Sequence, residues 1–360
     1  MNSTNKPIVN IIKKGAAALA ASSAALALLL ASSCSGDKPV NPGNIVELDS
    51  PAPSASAEAA SAKPEASSEP TPEPTPAPYG FEMIENSYIS GGKFVLVNYN
   101  HSYAHTNTVQ QQVRPVEKTK QLLLAKSDAA LLPEVNSALQ SFAEGFYEAT
   151  DGDRLLVTSA FRTEQYQREL YDDYVKQHGE EMARIYVADP GASEHHTGLA
   201  VDLSTMSKDG LRIPLIEHEK FDWVTSHCAD YGFILRYPVG SEQTTRVAYE
   251  PWHFRYLGSA HARAVNALDM VYEEYIEHLK VYTIESGVLH VQLTQDGSEL
   301  AVAEIGSLPS SGWLLYFVPA SENDKTPVPI PNDYAAYWIS GNNEDGFIVE
   351  VLIAAENGSN

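Results

Sequence analysis

Cysteine is nearly absent from this chain: of 360 residues, only Cys34 and Cys228 carry a thiol. That excludes a disulfide framework and a thiolate-rich zinc site. Positive charge is scarce as well. Lys and Arg number 24 against 47 Asp and Glu, a formal net charge of -23 at pH 7, so the composition offers no basic face for nucleic acid and no polybasic patch for an anionic membrane surface. G-x-G-x-x-G, P-loop and G-x-S-x-G strings are all missing, which removes the phosphate-cradling loop and the serine-hydrolase elbow. The excess of acid mainly keeps such a chain soluble.

Residues 1–33 have the layout of an export signal. Lys6, Lys13 and Lys14 precede an apolar, Ala- and Ser-rich run over residues 16–31, shorter than the ~20 residues that a membrane span needs. The run closes on Leu30-Ala31-Ser32-Ser33-Cys34. This resembles a bacterial lipoprotein cleavage site, with its Leu one place earlier than is usual, so Cys34 is the expected lipidation site; an exported free thiol has few other uses. Residues 34–79 read as a tether. Ten prolines fall between Pro39 and Pro78 among Ala, Ser, Glu and Thr, and a segment with so few large apolar side chains cannot repay the entropy of ordering itself.

From residue 80 to about 280 helical and strand patterns alternate. Leu132, Val135, Leu139, Phe142 and Phe146 recur at helical spacing before Asp151-Gly152, predicting an amphipathic helix. The following RLLVTSAF predicts a strand, and Thr163 caps a second helix that stops at Gly179. LAVDL, FILRYP and YEPWHFRYL read as strands, FDWVTSHCADYG and SAHARAVNALDMVYEEYIEHL as helices. Several strands close together favour an α+β body, a small antiparallel sheet with flanking helices, over a doubly wound parallel sheet. From 281 to 360 the chain turns strand-like, with VYTIES, VLHVQL, GWLLYFV, YAAYWIS and FIVEVLIA between turn signals, which predicts a small all-β appendage.

The chemistry concentrates in two clusters. His195 and Asp202 lie seven residues apart with Gly198 between them, so a tight turn can bring a loop imidazole and a strand carboxylate to one point. Zinc accepts that pair of donors, and a catalytic zinc wants one more protein ligand and an open position for water. Glu250-Pro251-Trp252-His253 can supply His253 as the third ligand and Glu250 as the general base. Amide hydrolysis at neutral pH needs this combination: an ion that activates water, and a carboxylate that takes its proton and returns it to the leaving amine.

The string Ser193, His195, Gly198, Ala200, Asp202, followed about fifty residues on by Glu250-Pro251-Trp252-His253, resembles the VanY-type D-alanyl-D-alanine carboxypeptidases of the lysostaphin, D-Ala-D-Ala and hedgehog-type zinc peptidase group. SAFRTEQYQ, FILRYP and YEPWHFRYLG are similar to three further blocks of that family, in the same order, over residues 90–280. The resemblance implies a zinc-peptidase domain with Zn2+ on His195, Asp202 and His253, Glu250 as catalytic base, and Arg162 as the cation that stabilises the oxyanion or holds the terminal carboxylate. Gln167 and Ser193 are expected to hydrogen-bond the peptide substrate, and Trp252 to wall the cleft. It further implies removal of D-alanine from peptidoglycan stem peptides, and together with the N-terminal signal, Cys34 and the tether the expectation is a monomer held at the cell membrane through its lipid and facing the wall. L,D-carboxypeptidase and cross-link endopeptidase activities are the enzymatic alternatives, and a catalytically silent peptidoglycan-binding lipoprotein is the alternative outside enzymology.

The chain also departs from the family pattern. Ala160 and Phe161 stand where Gly and Tyr are commoner, removing one phenolic hydroxyl from the cleft, and His196 replaces a frequent Gln. LVNYNHSYAHTN only loosely matches the family's entry segment. Among the other tempting residues, Cys228 reads as a buried inert thiol, Arg236 and Tyr237 as either cleft lining or strand closure. His178, His218, His227, His261, His278 and His290 read as surface or helix-end residues.

Overall fold

The computed structural model describes residues 78–294, 297–304 and 307–353; the expected export signal, Cys34 and most of the expected tether lie outside them. The chain enters through strand β1 (Tyr79–Glu85) and, after an irregular stretch, forms α1 (Thr106–Gln112), β2 (Arg114–Pro115), β3 (Leu122–Leu124) and β4 (Ala130–Leu131). Helix α2 (Pro133–Ala149) starts with proline in its first turn, where a missing N–H costs nothing, and buries Val135, Leu139, Phe142 and Phe146 along one stripe. Strand β5 (Arg154–Ser159) follows. Helix α3 (Glu164–His178) is capped by Thr163, whose side chain accepts the Tyr166 N–H, and ends at Gly179.

Helix α4 (Glu180–Tyr186), strands β6 (Ala200–Met206) and β7 (Arg212–Ile213), and helix α5 (Phe221–His227) carry the chain to β8 (Phe233–Leu235). A short α6 (Glu242–Thr245) then leads to β9 (His253–Tyr256). The central sheet runs β3-β5-β6-β9-β8 with β7 on β6. Every pairing is antiparallel except β3 with β5 at the edge. Its core joins the apolar stripe of α2 to Leu155, Val157, Leu203, Phe233 and Phe254. The expected final helix is two, α7 (Ser259–Leu268) and α8 (Tyr272–Leu279), because Asp269 adopts a left-handed φ of 52° and turns the chain between them.

The α+β body with an all-β region after it is as expected, but the strands of that region are partly different. Residues 281–286, read as a strand, form a turn in which the Thr283 N–H donates to Ser286 Oγ. The strands are β10 (Val288–Thr294), β11 (Gly297–Ala303), β12 (Gly312–Pro319), β13 (Lys325–Pro331), β14 (Ala336–Gly341) and β15 (Gly346–Ile353). Five form an antiparallel sheet in the order β11-β10-β12-β15-β14, while β13 pairs with β1 from the other end of the chain. Residues just after β1 are stitched to the same unit: Gly341 N–H donates to Gly91 O, Phe94 N–H to Ser340 Oγ, and Leu96 N–H to Asn342 O.

One face of this sheet has no core of its own. Leu289, Val291, Leu315, Phe317 and Ile348 are buried against Phe94, Leu96, Ala260, Tyr272 and Ile276 of the preceding unit. Each such aliphatic or aromatic side chain is worth about 1.5–3 kcal/mol when fully buried, and the set is comparable with the ~5–15 kcal/mol that holds a whole domain. A chain ending at Gly287 is therefore expected to lose cooperative unfolding and to bind a hydrophobic dye. Retention of the full-length melting temperature by that truncation would show that the two units do not share a core.

Candidate metal centre

Strands β6 and β9 pair in a register that sets Asp202 directly across from His253, and opposed residues of neighbouring strands project to the same face. His195 comes from outside the sheet. A single 3-10 turn over Glu194–Thr197 delivers it, and Gly198, with φ 66°, swings the chain into β6. A Cβ on Gly198 would lie 2.9 Å from Val113 Cγ1, so both backbone angle and packing call for glycine. As a result His195, Asp202 and His253 each present a ligand atom, and these atoms all lie within 4.8 Å of one another. His195 Nε2 is 3.3 Å from Asp202 Oδ2, and His253 Nδ1 is 3.0 Å from Asp202 Oδ1.

The donor set fits zinc. His195 Nδ1–H is directed to the Ala160 carbonyl at 2.7 Å, which leaves the lone pair on Nε2, and that nitrogen is buried without a hydrogen-bond partner. An orphaned acceptor beside a carboxylate and a second imidazole is the arrangement of a three-ligand catalytic zinc site with one position open. Burial pushes His195 down to about 4, with the Arg162 charge adding to it, so the ring is neutral, as a ligand must be. Burial opposes charge on Asp202 too, but His195 and His253 outweigh it and hold the carboxyl well below the usual carboxylate range. For His253, burial alone would favour the neutral ring; hydrogen bonds to Asp202 and Glu194 prevail and raise it to about 9. A metal taking Nδ1 must displace that proton.

Glu250 and Arg162 flank the cluster. The turn before β9 is closed by His253 N–H on the Glu250 carbonyl, and it brings Glu250 Oε2 to 3.6 Å from His253 Nδ1. Although 23% of the Glu250 side chain is open to solvent, burial of its carboxyl, reinforced by Asp202, pushes it up to about 7, against the pull of His253 and Arg162. Arg162 approaches from the other side, its Nη2 3.7 Å from Asp202 Oδ2. Its Nη1 donates to Gln167 Oε1 at 2.8 Å, and its Nε is buried without a partner.

The remaining sequence-selected residues divide. Gln167 is fully buried, spent on Arg162 and on the Ala188 carbonyl; it orients the arginine, and both ends of its amide are occupied. Ser193 is 5% exposed, and its carbonyl accepts the His196 N–H. Trp252 is half-buried in the turn between Glu250 and His253, with its carbonyl taking the Leu203 N–H. His196 points away from the cluster, accepting the Gly191 N–H at Nε2 and facing the Arg162 carbonyl with Nδ1. Cys228 is buried, and burial pushes its thiol up to about 12. Two of the histidines read as surface or helix-end residues are buried. His218 is buried on Asp153 at 3.0 Å, and His261 is buried with Nδ1 on the Tyr275 hydroxyl at 2.8 Å; tertiary packing covers helix and loop positions that sequence alone leaves open.

Glu194 and Arg255 were not singled out by the sequence, yet they adjoin the cluster. Glu194 is buried behind His253, where Oε2 takes the His253 Nε2–H at 3.3 Å and Oε1 takes Arg236 Nε and Arg255 Nη1, each at 2.8 Å. Those two guanidinium groups overcome burial and hold the Glu194 carboxyl far below the usual range. The available signal was parity: His253 and Arg255 are two apart on β9 and so share a face.

Residues 128–259 match the family model described as VanY, D-alanyl-D-alanine carboxypeptidase. Over 184 residues the chain is 34% identical to the bifunctional D-Ala-D-Ala dipeptidase and D-Ala-D-Ala carboxypeptidase VanXYC of Enterococcus gallinarum, covering 48% of this chain and 95% of that one. It is 39% identical over 132 residues to the putative carboxypeptidase YodJ of Bacillus subtilis, covering 36% of this chain and spanning about half, 48%, of that relative's length. Among solved structures, the D,D-dipeptidase VanXYg in complex with a D-Ala-D-Ala phosphinate analogue is similar at a TM-score of 0.63 and 30% identity, over 76% of this chain and 99% of that one. With its metal-ligand strands, its sequence over the site and its fold all in agreement, the chain belongs to the VanY family of D-alanyl-D-alanine carboxypeptidases.

Proposed function

We propose that this protein is a zinc-dependent carboxypeptidase that removes the terminal D-alanine from peptidoglycan stem peptides. The observation that carries this reading is the convergence of His195, Asp202 and His253 within 4.8 Å, with a carboxylate on one side and a fixed guanidinium on the other. Zinc held by those three side chains would supply electrophilic activation of the attacking water and of the scissile carbonyl. Glu250, 3.6 Å from His253 Nδ1, is placed to receive the water's proton and pass it to the leaving amine. Arg162 brings a positive charge to where the oxyanion and the terminal carboxylate gather, and Gln167 holds that charge still. The named activity of VanXYC, on D-Ala-D-Ala, supports the same substrate class here.

For the location the support is in the sequence. Lys6, Lys13 and Lys14 before an apolar run, Cys34 at its end and a proline-rich segment after it support export, lipidation at Cys34 and a tethered enzyme facing the cell wall. Such a tether would let a monomeric catalytic unit reach stem peptides at a distance from the membrane.

The test is release of free D-alanine from L-Ala-D-Glu-Lys-D-Ala-D-Ala and from its tetrapeptide. Release from the pentapeptide that disappears on chelation and returns with zinc is expected, with Glu250→Ala lowering kcat by about 10²–10⁴-fold and Arg162→Ala by about 10²–10³-fold. Preference for the tetrapeptide would make the enzyme an L,D-carboxypeptidase. Zinc-loaded protein that binds sacculi, releases no D-alanine and cuts no cross-link would make it a binding lipoprotein.

The pH dependence has a definite sign. Glu250 must be ionised to accept a proton, and its ionisation is pushed up from 4.5 toward 7, so kcat/KM is expected to fall as pH drops through that interval. A bound cation pulls the limb toward the lower end of the interval, since it stabilises the carboxylate. A pH profile flat from 7 down to 4.5 would remove Glu250 from the role of base.

A further inference from the structure

We infer that Glu194 is a positioning residue for the metal centre: its carboxylate, clamped by Arg236 and Arg255, fixes His253 in the tautomer that offers Nδ1 to the ion. This rests on the zinc reading above and extends it to a residue that makes no contact with the ion position. His253 has two ring nitrogens, and either could in principle face the cluster. Nδ1 lies 3.0 Å from Asp202 Oδ1, inside the cluster, while Nε2 lies 3.3 Å from Glu194 Oε2, behind it. An ionised carboxylate accepts hydrogen bonds and donates none, so Glu194 keeps the proton on Nε2, and the proton that Nδ1 shares with Asp202 is the one a metal displaces to take the lone pair there. A carboxylate behind a ligand imidazole also strengthens it as a donor.

The surroundings of Glu194 are built for this. Its side chain is buried and adjacent in sequence to the ligand His195, yet the 3-10 turn sends it to the opposite side of His253. Arg255 is on the same face of β9 as His253, and besides Glu194 Oε1 it reaches the Lys93 and Val95 carbonyls at 2.8 and 2.9 Å. Arg236 donates through Nε to Glu194 and through both terminal nitrogens to Glu273, at 2.8 and 2.6 Å. Two guanidinium groups saturate Oε1 and leave Oε2 for the histidine alone. A network serving stability only would have no need to direct one oxygen at a metal ligand.

Two measurements separate positioning from fold support. In the zinc-loaded wild type, nitrogen-15 NMR of the His253 ring is expected to show a proton on Nε2 and the metal on Nδ1; the reverse assignment overturns the proposal without any variant. Competition with a chromophoric chelator is expected to show zinc held about 10–100-fold less tightly by Glu194→Gln than by the wild type. Glu273→Gln disturbs the same arginine network without touching His253, and is expected to leave zinc affinity within about threefold. Equal zinc affinity in Glu194→Gln and wild type overturns the proposal alone, as does an equal loss in both variants. Wild type that binds no zinc overturns the zinc reading and the proposal together.

Discussion

The site depends on one pairing, that of β6 with β9. Because Asp202 and His253 are cross-strand partners, their relative position is fixed by backbone hydrogen bonds of the central sheet. Side-chain flexibility then contributes little to their separation. A one-residue slip of that register would send one ligand to the opposite face of the sheet. The apolar partners along the same strands resist such a slip: Val201, Leu203 and Phe254 are buried in the core formed with α2. The pattern that specifies the core thereby specifies the candidate metal centre, and only His195 needs a separate device, the turn ending at Gly198.

Around that pairing the protein accumulates buried charge. Asp202, Glu194, Arg162, Arg236 and Arg255 all lie within or beside the cluster, and Glu273 closes the far end on Arg236. Removing ions from water costs several kcal/mol each, and pairing repays this only when the geometry is good and the remaining hydrogen-bonding positions are filled. Here they are filled for the clamp: Arg255 uses the Lys93 and Val95 carbonyls as well as Glu194, and Arg236 is bidentate on Glu273. At the cluster itself they are not, with His195 Nε2 and Arg162 Nε left without partners. Unsatisfied groups at the cluster, beside a clamp whose positions are filled, are what a binding centre awaiting a ligand shows.

What could be read from the sequence was what is local. His195, Gly198 and Asp202 lie within one turn and the start of one strand, Glu250 and His253 within another turn, so short motifs contain their geometry. The amphipathic stripe of α2 and the Thr163 cap are local in the same sense. Long-range facts left no such trace. The pairing of β1 with β13 joins residues about 250 apart, and the burial of His218 and His261 depends on Asp153 and Tyr275 arriving from elsewhere. Gln167 shows the intermediate case: the family resemblance marked it as a partner for the substrate, but only the structure shows that its amide is consumed by Arg162 and Ala188.

The β-rich unit acquires a role from these contacts. Its β14–β15 loop places the Asn343 amide on the Leu96 and Ser102 carbonyls, at 2.9 and 3.1 Å. The next residue, Tyr103, donates its N–H to the Gly191 carbonyl, and Gly191 in turn donates to His196 Nε2. His196 then faces the Arg162 carbonyl with its other nitrogen. Each link is an ordinary hydrogen bond worth about 0.5–1.5 kcal/mol, but the sequence of links has a direction: from the edge of the β sheet, through the entry segment and the Gly191 turn, to the backbone of the arginine beside the metal cluster. Since one face of that sheet is also packed into the core shared with α7 and α8, the anchor at the start of the chain of bonds is rigid. The β-rich unit thus braces both segments that present the cluster, the stretch before α3 that carries Arg162 and the 3-10 turn that carries His195, which gives a physical reason for its being fused to the catalytic unit through a common core.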